Sequence, residues 1–327
     1  MSGELTVVTV GETLVRYGYG NNTVINDEKY CAGAESNVAA NIQTLGIPSV
    51  QTVWVSRLGN DPEGSFIREQ LEGRIRVFAK AYTGQRTGTF YVKPKSGGGI
   101  EKVYDRKESA ASRMEFEDLE PFLSNATLLH VTGITPALSD SCQDMIFQSL
   151  AYAREHSIPV SFDVNYRDAL WTPREALPVF EKMLGYTSIF KVGYDEAIKV
   201  WGRDQSIEPF ADAFYHDNLV VITDGHNGSV AYDGTNFIRS NGYKVEVKDV
   251  VGAGDAFVAG LLGSLLMSGS IDGFFQLVPD QRRTVLERSM KIANACGAIT
   301  CTKMGDIEGM PTLNEVSRFL EERIHEV

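Results

Sequence analysis

Short β-branched runs alternate with helical stretches along most of this chain, and this alternation constrains the fold more than any other feature. Leu5 to Val10 is a compact apolar run that ends at Gly11, as expected of a buried strand. Later segments repeat the pattern, with strands predicted at 128–132, 159–163, 189–192, 219–223 and 229–232 and helices near 141–156, 174–185, 206–216 and 284–299. The pattern predicts an α/β fold in which helices cover both faces of a mainly parallel sheet.

One region departs from this alternation. Thr87 to Val92 and Ile100 to Asp105 are predicted to pair as a β-hairpin. With residues near 13–32, the hairpin is expected to form a small sheet, so that lid insertions occupy approximately 13–32 and 82–110 of a single domain spanning 1–327. Ligands of open α/β sheets bind at the carboxyl ends of the strands, where this sheet would act as a lid. The alternative is a surface hairpin without a functional role.

The segment from Asp249 to Phe257 places a carboxylate directly behind a glycine turn that opens an apolar helix. The backbone N–H groups of such a turn attract an anion, and the helix N-terminus adds about half a positive charge. Asp255 lies where it can take a proton from a substrate hydroxyl. Gly252, Ala253, Gly254 and Asp255 therefore predict a phosphoryl-transfer centre, with an ordinary capped helix and two packing glycines as the alternative.

Other glycine-rich phosphate sites do not fit this turn. A dinucleotide-binding fingerprint needs a third glycine where this chain has Phe257, and it normally lies in the first βα turn. A Walker A loop needs a Gly-Lys pair, which the sequence lacks. The protein-kinase motifs are missing as well.

Composition excludes several further classes. The formal net charge of -12 argues against nucleic-acid binding. The cysteines form no C-x-x-C pair and are expected to be reduced, structural thiols: Cys31, Cys142, Cys296 and Cys301. The first residues lack the pattern of a secretory signal, and the most apolar segment is too short to span a membrane. A cytoplasmic protein without membrane contact is expected.

Two separated motifs together resemble the signatures of the PfkB, or ribokinase-like, carbohydrate kinases. They are Ala32 to Ala39 (AGAESNVA) and Gly252 to Phe257 (GAGDAF), and the resemblance spans essentially the whole chain. Three further segments resemble the branch that acts on 2-keto-3-deoxygluconate: 103–106 with 109–112, 132–136, and 163–167 with 170–171. The resemblance implies a ribokinase-like, Rossmann-type fold of three α/β/α layers with a small β-sheet lid.

The resemblance also implies a reaction, the transfer of the γ-phosphoryl group of ATP to the 6-hydroxyl of that sugar acid in the presence of Mg²⁺. Asp255 would be the general base, and the amides of Gly252, Ala253 and Gly254 would form the anion hole. Gly33, Ala34 and Asn37 match the sugar-binding stretch of the family. Asn37 is also read as a helix cap, because a helix is predicted from Asn37 to Leu45 with Ser36 or Asn37 at its start.

A sugar acid brings a carboxylate that arginine can hold with two hydrogen bonds. Arg106 and Arg167 match the arginines of the sugar-acid branch. The remaining substrate contacts implied by the resemblance are Tyr91, Tyr104 and Ile134. For the nucleotide, the family implies Lys191, Thr223, Gly225, Gly228, Asn294 and the glycine turn itself.

The sequence departs from the family pattern at two positions. Gly193 stands where the family often has Asn of an Asn-x-x-Glu motif, so only an indirect, water-mediated magnesium role is expected of Glu196. Val250 replaces a Thr that is common in ribokinases, so the presence of a monovalent-cation site is an open question. Fructokinase, ribokinase, 2-keto-3-deoxygalactonate kinase and a non-catalytic sugar or nucleotide sensor are the alternative functions. An exposed lid sheet also suggests a homo-oligomer.

Overall fold

The computed structural model describes residues 4–20, 23–94, 100–202 and 206–323. Its strands are β1 (Leu5–Val10), β2 (Leu14–Gly20), β3 (Thr23–Ala32), β4 (Val50–Gly59), β5 (Arg76–Tyr82), β6 (Thr89–Pro94), β7 (Ile100–Asp105), β8 (Leu128–Thr132), β9 (Val160–Asp163), β10 (Ile189–Gly193), β11 (Leu219–Thr223), β12 (Ser229–Tyr232) and β13 (Phe237–Ser240). Its α-helices are α1 (Ala34–Leu45), α2 (Pro62–Glu72), α3 (Phe116–Leu123), α4 (Asp140–Glu155), α5 (Pro173–Leu184), α6 (Tyr194–Trp201), α7 (Ile207–Ala213), α8 (Ala253–Leu266), α9 (Ile271–Gln276), α10 (Pro279–Thr300) and α11 (Leu313–Glu321).

Nine strands form one large sheet in the order β13-β12-β11-β10-β9-β8-β1-β4-β5. Every pairing from β11 to β5 is parallel, and only β12 and β13 run antiparallel to their neighbours. Parallel strands place all their carboxyl ends at one edge, and the residues after β1, β8, β9, β10 and β11 therefore meet there. The prediction of a mainly parallel sheet is confirmed.

Helices cover both faces of this sheet. One core cluster packs α3 to α7 against one face and contains Phe162, Phe180 and Phe190. A second cluster packs α1, α8 and α10 against the opposite face and contains Phe257 and Leu262. Adjacent residues of β1 divide between the clusters because successive side chains of a strand point to opposite faces.

A separate four-stranded sheet has the order β3-β2-β6-β7. Strands β2 and β6 are parallel, and the other two pairs are antiparallel. All four strands lie within the predicted insertions, and β6 begins at Thr89, two residues after the predicted start. Residues 95–99 of the predicted hairpin loop and residues 21–22 of the earlier turn lie outside the described residues.

The start of α1 corrects one prediction. The helix begins at Ala34 with Gly33 at its N-cap, three residues before the predicted start, so neither Ser36 nor Asn37 is the cap. The Ser36 hydroxyl lies inside the first turn, where it donates to the Gly33 carbonyl at 3.1 Å and accepts from the Thr13 hydroxyl at 2.6 Å. The side-chain oxygen of Asn37 accepts from the Gly33 N–H at 3.4 Å, and its NH2 group points to a partner on another element.

The cysteines form no disulfide among the described residues, and Cys31, Cys142 and Cys296 are buried. Burial raises the pKa of the Cys142 thiol to about 11, which keeps it protonated at neutral pH. Within the described ranges, no helix combines the length and the apolar character needed to cross a membrane.

Candidate active site

A cavity of about 380 Å³ lies at the carboxyl edge of the large sheet and is bordered by the small sheet. The residues that line it come from segments far apart in the sequence, and most of the predicted site residues are among them: Gly33, Ala34, Asn37, Tyr104, Arg106, Ile134, Arg167, Lys191, Glu196, Thr223, Gly225, Gly252, Gly254 and Asp255. Two parts of the wall differ in character. We call Gly252, Gly254 and Asp255 with their contacts the turn region, and Lys102, Arg106 and Arg167 the cationic region.

The turn region begins at Gly252, which is the N-cap of α8. Its φ of 82° is left-handed, and a Cβ built on it would lie 2.6 Å from the Asp306 carbonyl oxygen, so only glycine fits here. Helix α8 is buried from Ala256 to Leu266, which fixes its first turn rigidly. Among the described residues no side chain caps this helix, and its first N–H groups are available to an anion.

Asp255 lies in the first turn of α8 and accepts a hydrogen bond of 2.8 Å from the Asn37 side-chain amide. A weaker contact of 3.5 Å comes from the Asn165 amide. Burial raises the pKa of Asp255 to about 6; the Asn37 hydrogen bond opposes this rise, and the charge of Asp163 adds to it. A carboxylate with this pKa is ionised at neutral pH and remains basic enough to accept a proton.

Lys191 projects from β10 beside the glycine turn. Its ammonium nitrogen lies 3.0 Å from the Asp163 carboxylate and 3.9 Å from the position that a Cβ on Gly254 would take. Burial opposes the ammonium charge, but the carboxylates of Asp163 and Glu196 outweigh it, so the pKa of Lys191 is raised. A permanent positive charge therefore lies next to the N–H groups of the turn.

Two of the three basic side chains in the cationic region, Lys102 and Arg167, have no carboxylate at short distance to balance their charge. Lys102 on β7 lines the cavity, and among the described residues it forms no ion pair. Burial, together with the nearby charge of Arg167, lowers the pKa of Lys102. The Arg167 side chain is 37% exposed, and its nearest carboxylate oxygen, on Glu196, is 3.8 Å away. Both cations are thus available to an anionic ligand.

Arg106 is already engaged within the protein. Its Nε donates to the buried Glu12 carboxylate at 2.7 Å and its Nη2 lies 2.5 Å from the same oxygen, while the Ser109 hydroxyl donates to the other oxygen. The guanidinium also lies 5.4 Å from the centre of the Tyr104 ring. Arg106 therefore ties the small sheet to the end of β1, and the N–H groups of its Nη1 and the second N–H of its Nη2 are not used by Glu12.

Tyr91 is not on the described cavity wall, whereas its neighbour Phe90 is. Phe90 is buried and stacks on Tyr104 with ring centres 5.2 Å apart. Adjacent residues of a strand face opposite sides, so placing Phe90 inward directs Tyr91 away from this wall. The structure thus puts Phe90 where the sequence predicted Tyr91.

Two predicted nucleotide residues lie together beyond this cavity wall. Asn294 on α10 accepts a hydrogen bond from the Ser229 hydroxyl at 3.1 Å and donates to the Ser240 carbonyl at 3.2 Å. Gly228 adjoins the same strands, with a φ of 103° and a Cβ position only 2.1 Å from the Ser240 carbonyl oxygen. Both residues therefore shape the loop that also presents Thr223 and Gly225 to the cavity.

Glu196 lies in the first turn of α6. One of its oxygens accepts from the Gly193 N–H at 2.8 Å, as in a capping box, and the other is the oxygen near Arg167. In the parts of the chain that the structure describes, no group of three or more His, Cys, Asp or Glu side chains is placed to hold a metal ion. Glu196, the residue predicted to contact the metal, therefore lines the cavity, and one of its two oxygens is hydrogen-bonded to the backbone.

Several site residues were not predicted from the sequence. Asp306 lines the cavity beside Gly252, and buried Arg16 binds its carboxylate. Asn165 has a φ of 41°, an uncommon backbone conformation that often marks functional sites. No local signal identifies Arg16 or Asp306, while Asn165 follows a predicted strand at the carboxyl edge, where an asparagine in a turn is a weak clue.

Comparison with known proteins agrees with this geometry. The family described as pfkB family carbohydrate kinase matches residues 4–313. The chain is 31% identical to 2-dehydro-3-deoxygluconokinase of Bacillus subtilis (strain 168), over 97% of this chain and 96% of the relative. It is 27% identical to 2-dehydro-3-deoxygalactonokinase of Haloferax volcanii, over 98% and 97% of the two chains.

Among solved structures, the chain resembles a double-mutant fructokinase from Vibrio cholerae O395 in a form with bound fructose, ADP and potassium ion. The TM-score is 0.83 at 26% identity, and the alignment covers 98% of this chain and 99% of the other. The large parallel sheet, the two helical layers and the separate small sheet agree with this match. The chain therefore belongs to the pfkB family of carbohydrate kinases and has their ribokinase-like fold.

Proposed function

We propose that this carbohydrate kinase transfers the γ-phosphoryl group of ATP to the 6-hydroxyl of 2-keto-3-deoxygluconate, also called 2-dehydro-3-deoxygluconate. Asp255 acts as the general base, and the amides of Gly252, Ala253 and Gly254 receive the transferred group. The observation that carries the substrate assignment is the cationic region. A neutral sugar needs no fixed cation, whereas Lys102 and Arg167 together suit a carboxylate in a half-buried cavity.

The roles of the three basic groups differ in this proposal. Arg167 and Lys102 hold the carboxylate of the sugar acid because neither is neutralised by a close carboxylate. Arg106 contributes the N–H groups that Glu12 does not use, and it fixes Tyr104 beside the substrate. Gly33 and Ala34 let the sugar approach the backbone, and Ile134 adds an apolar wall. Phe90 takes the position on this wall that was expected of Tyr91.

In the reaction, ionised Asp255 accepts the proton of the 6-hydroxyl, and the hydroxyl oxygen forms a bond to the γ-phosphorus as ADP leaves. Asn37 orients the Asp255 carboxylate through its 2.8 Å hydrogen bond. The amides at the start of α8 and the ammonium of Lys191 stabilise the charge on the phosphoryl oxygens. Phosphoryl transfer requires mainly such positioning and charge neutralisation.

The donor set of the cavity fits a magnesium ion that arrives with the nucleotide. Carboxylate oxygens are suitable Mg²⁺ ligands, but the described residues offer no cluster that could enclose the ion, and Glu196 has a single uncommitted oxygen. We therefore propose that the ATP phosphates and water hold Mg²⁺ and that Glu196 contacts it through water. The ion would neutralise phosphate charge during transfer.

A panel of acceptors tests the proposal. The purified protein would be incubated with ATP, Mg²⁺ and each of 2-keto-3-deoxygluconate, 2-keto-3-deoxygalactonate, fructose and ribose, with ADP release and the phosphorylated product both measured. We expect the highest kcat/KM with 2-keto-3-deoxygluconate and phosphate on its 6-oxygen. Faster turnover of fructose or ribose would remove the sugar-acid assignment, and ligand binding without ADP release would indicate a sensor.

We also propose that the small sheet mediates homo-oligomer formation. Its order makes β3 and β7 edge strands, which can pair with another copy of the chain. Light scattering on the wild type and on a variant with Ile25, an exposed apolar residue of β3, replaced by Lys would test this. A monomeric wild type at micromolar concentration contradicts the idea.

A further inference from the structure

Arg16 is a buried arginine on β2 whose partners come from the other end of the chain. Its Nη1 lies 2.7 Å from an oxygen of Asp249 and 3.3 Å from an oxygen of Asp306. The residue is only 8% exposed, and its guanidinium also lies 5.7 Å from the centre of the Tyr30 ring. Arg16 does not line the cavity, so its charge cannot be explained as a direct substrate contact.

One arm of this cluster leads to the glycine turn. The second oxygen of Asp249 accepts a hydrogen bond of 3.0 Å from the Val251 N–H, directly before Gly252. On the other side of the turn, the backbone of Asp306 lies against Gly252 so closely that a Cβ there would be 2.6 Å from its carbonyl oxygen. The two carboxylates that Arg16 holds therefore flank the turn on both sides.

The second arm leads to the base. The Asn37 amide lies 3.4 Å from the other oxygen of Asp306, and the same amide donates to Asp255 at 2.8 Å. A continuous chain of contacts thus runs from Arg16 through Asp306 and Asn37 to Asp255. A guanidinium that fixes Asp306 also limits where the Asn37 amide can hold the base.

Charge gives a further reason for a cation at this position. Asp249, Asp306 and Asp255 gather around a turn that must receive a phosphate group, and uncompensated carboxylates would repel it. Burial raises the pKa of Asp306 to about 7, and the charge of Arg16 opposes this rise. Removing Arg16 would take away the only ion-pair partner that the described residues give Asp249 and Asp306, and only the more distant charge of Lys102 would still act on Asp306.

We propose that Arg16 is a positioning residue for phosphoryl transfer, a built-in cation that fixes the glycine turn through Asp249 and the base through Asp306 and Asn37. It acts through these residues and touches neither ATP nor the sugar. The inference rests on the proposed role of Asp255. Because Arg16 lies on β2, the lid sheet would then help to set the rate of the reaction as well as to bind the substrate.

Arg16→Met, which keeps the length of the side chain and removes its charge, tests the proposal. We expect kcat to fall about 10²-fold, with KM for ATP and for the acceptor within about threefold of wild type. Added guanidinium chloride should raise the kcat of this variant about tenfold over its value in sodium chloride at equal ionic strength. Arg283→Met is the matched control. The Arg283 side chain is half exposed, and among the described residues its only ion pair is a 3.9 Å contact with Glu287.

Asp306→Asn is the second variant and serves if Arg16→Met does not fold. It weakens the arm that leads to the base and keeps the bond between Arg16 and Asp249. At pH 8, where Asp306 of the wild type is ionised, we expect a decrease in kcat of about tenfold with little change in KM. A kcat within threefold of wild type for a folded Arg16→Met variant, or for Asp306→Asn when Arg16→Met does not fold, overturns the inference.

The same assays separate this inference from the proposed function. All variants would be measured with 2-keto-3-deoxygluconate, 2-keto-3-deoxygalactonate and fructose alongside wild type. If wild type releases ADP and Arg16→Met is equally active, only the role of Arg16 fails. If wild type phosphorylates none of the three, the proposed function fails, and the role of Arg16 in it fails too.

Discussion

The turn region differs from two of the three basic side chains of the cationic region, Lys102 and Arg167, in how its side chains are held. In the turn region, Asn37 and Lys191 are buried and each holds a carboxylate through a contact of 3.0 Å or less. In the cationic region, Lys102 and Arg167 are partly exposed and make no short ion pair among the described residues. Side chains held in place before the ligand binds suit the chemical step. Side chains without a close partner suit recognition of a ligand that supplies the opposite charge.

The largest effect should come from removing the base. Asp255→Asn keeps the shape and can still accept the Asn37 hydrogen bond, but it cannot take a proton. We expect kcat to fall by about two to four orders of magnitude while the sugar acid and ATP still bind, as measured by steady-state kinetics and calorimetry. Asp140→Asn, at an exposed position on α4, is the control. Near-normal turnover of Asp255→Asn would remove this residue from the mechanism.

Substitutions in the cationic region should act on specificity. Arg167→Ala and Lys102→Met each remove a charged hydrogen-bond donor, so we expect kcat/KM for 2-keto-3-deoxygluconate to fall about 10- to 100-fold. The kcat/KM for fructose, which lacks a carboxylate, should change by less than about threefold. Equal losses with both acceptors would show that these side chains support the cavity and do not select a carboxylate.

The pH dependence should report mainly the turn region, because burial and the Asn37 hydrogen bond affect the pKa of Asp255 more than the charge of Arg167 does. Because burial raises the pKa of Asp255 to about 6, and only its ionised form accepts a proton, kcat/KM should fall as the pH decreases through about 6. Asn37→Ala removes a hydrogen bond that favours the ionised form, so this limb should move to higher pH. Lys102→Met is the comparison variant, and a larger displacement of the limb there than in Asn37→Ala would contradict the division into two regions.

The smallest effect concerns stability. The folded-state pKa of Asp255, about 6, exceeds the value of about 3.9 expected in the unfolded chain, so ionisation of Asp255 destabilises the folded protein. This penalty is absent below about pH 4, grows between pH 4 and 6 and is complete above 6. Asp255→Asn should therefore melt about 2–4 °C above wild type at pH 8 and equally at pH 4. A lower melting temperature at pH 8 would contradict the cost of burying this charge.

Features set by local patterns were predictable from the sequence. The buried strand Leu5–Val10 has the predicted bounds, and the glycine turn lies at the start of an apolar helix as expected. The start of α1 was wrong because contacts with Thr13 and Asp255 determine how Ser36 and Asn37 are used, and local capping preferences do not include them.

The sequence could not reveal features that depend on register or on distant pairing. A shift of one residue in β6 decides whether Phe90 or Tyr91 faces the cavity, and both aromatic residues suit a strand. The position of the small sheet against the end of β1 determines that Arg106 pairs with Glu12. It also determines that Lys102 lines the cavity without a carboxylate partner among the described residues. The cluster around Arg16 joins segments whose local sequences carry no sign of one another.

The contact between Arg16 and Asp306 joins residues that are 290 positions apart. During synthesis the chain emerges from its N-terminal end, so the strands of the large sheet and the lid can form before Asp306 is available. A nascent chain that stops after α8 would contain Asp255 and the glycine turn but would lack one of the two acids that flank them. The site can therefore be completed only after translation has passed α10, which ends at Thr300 and precedes Asp306.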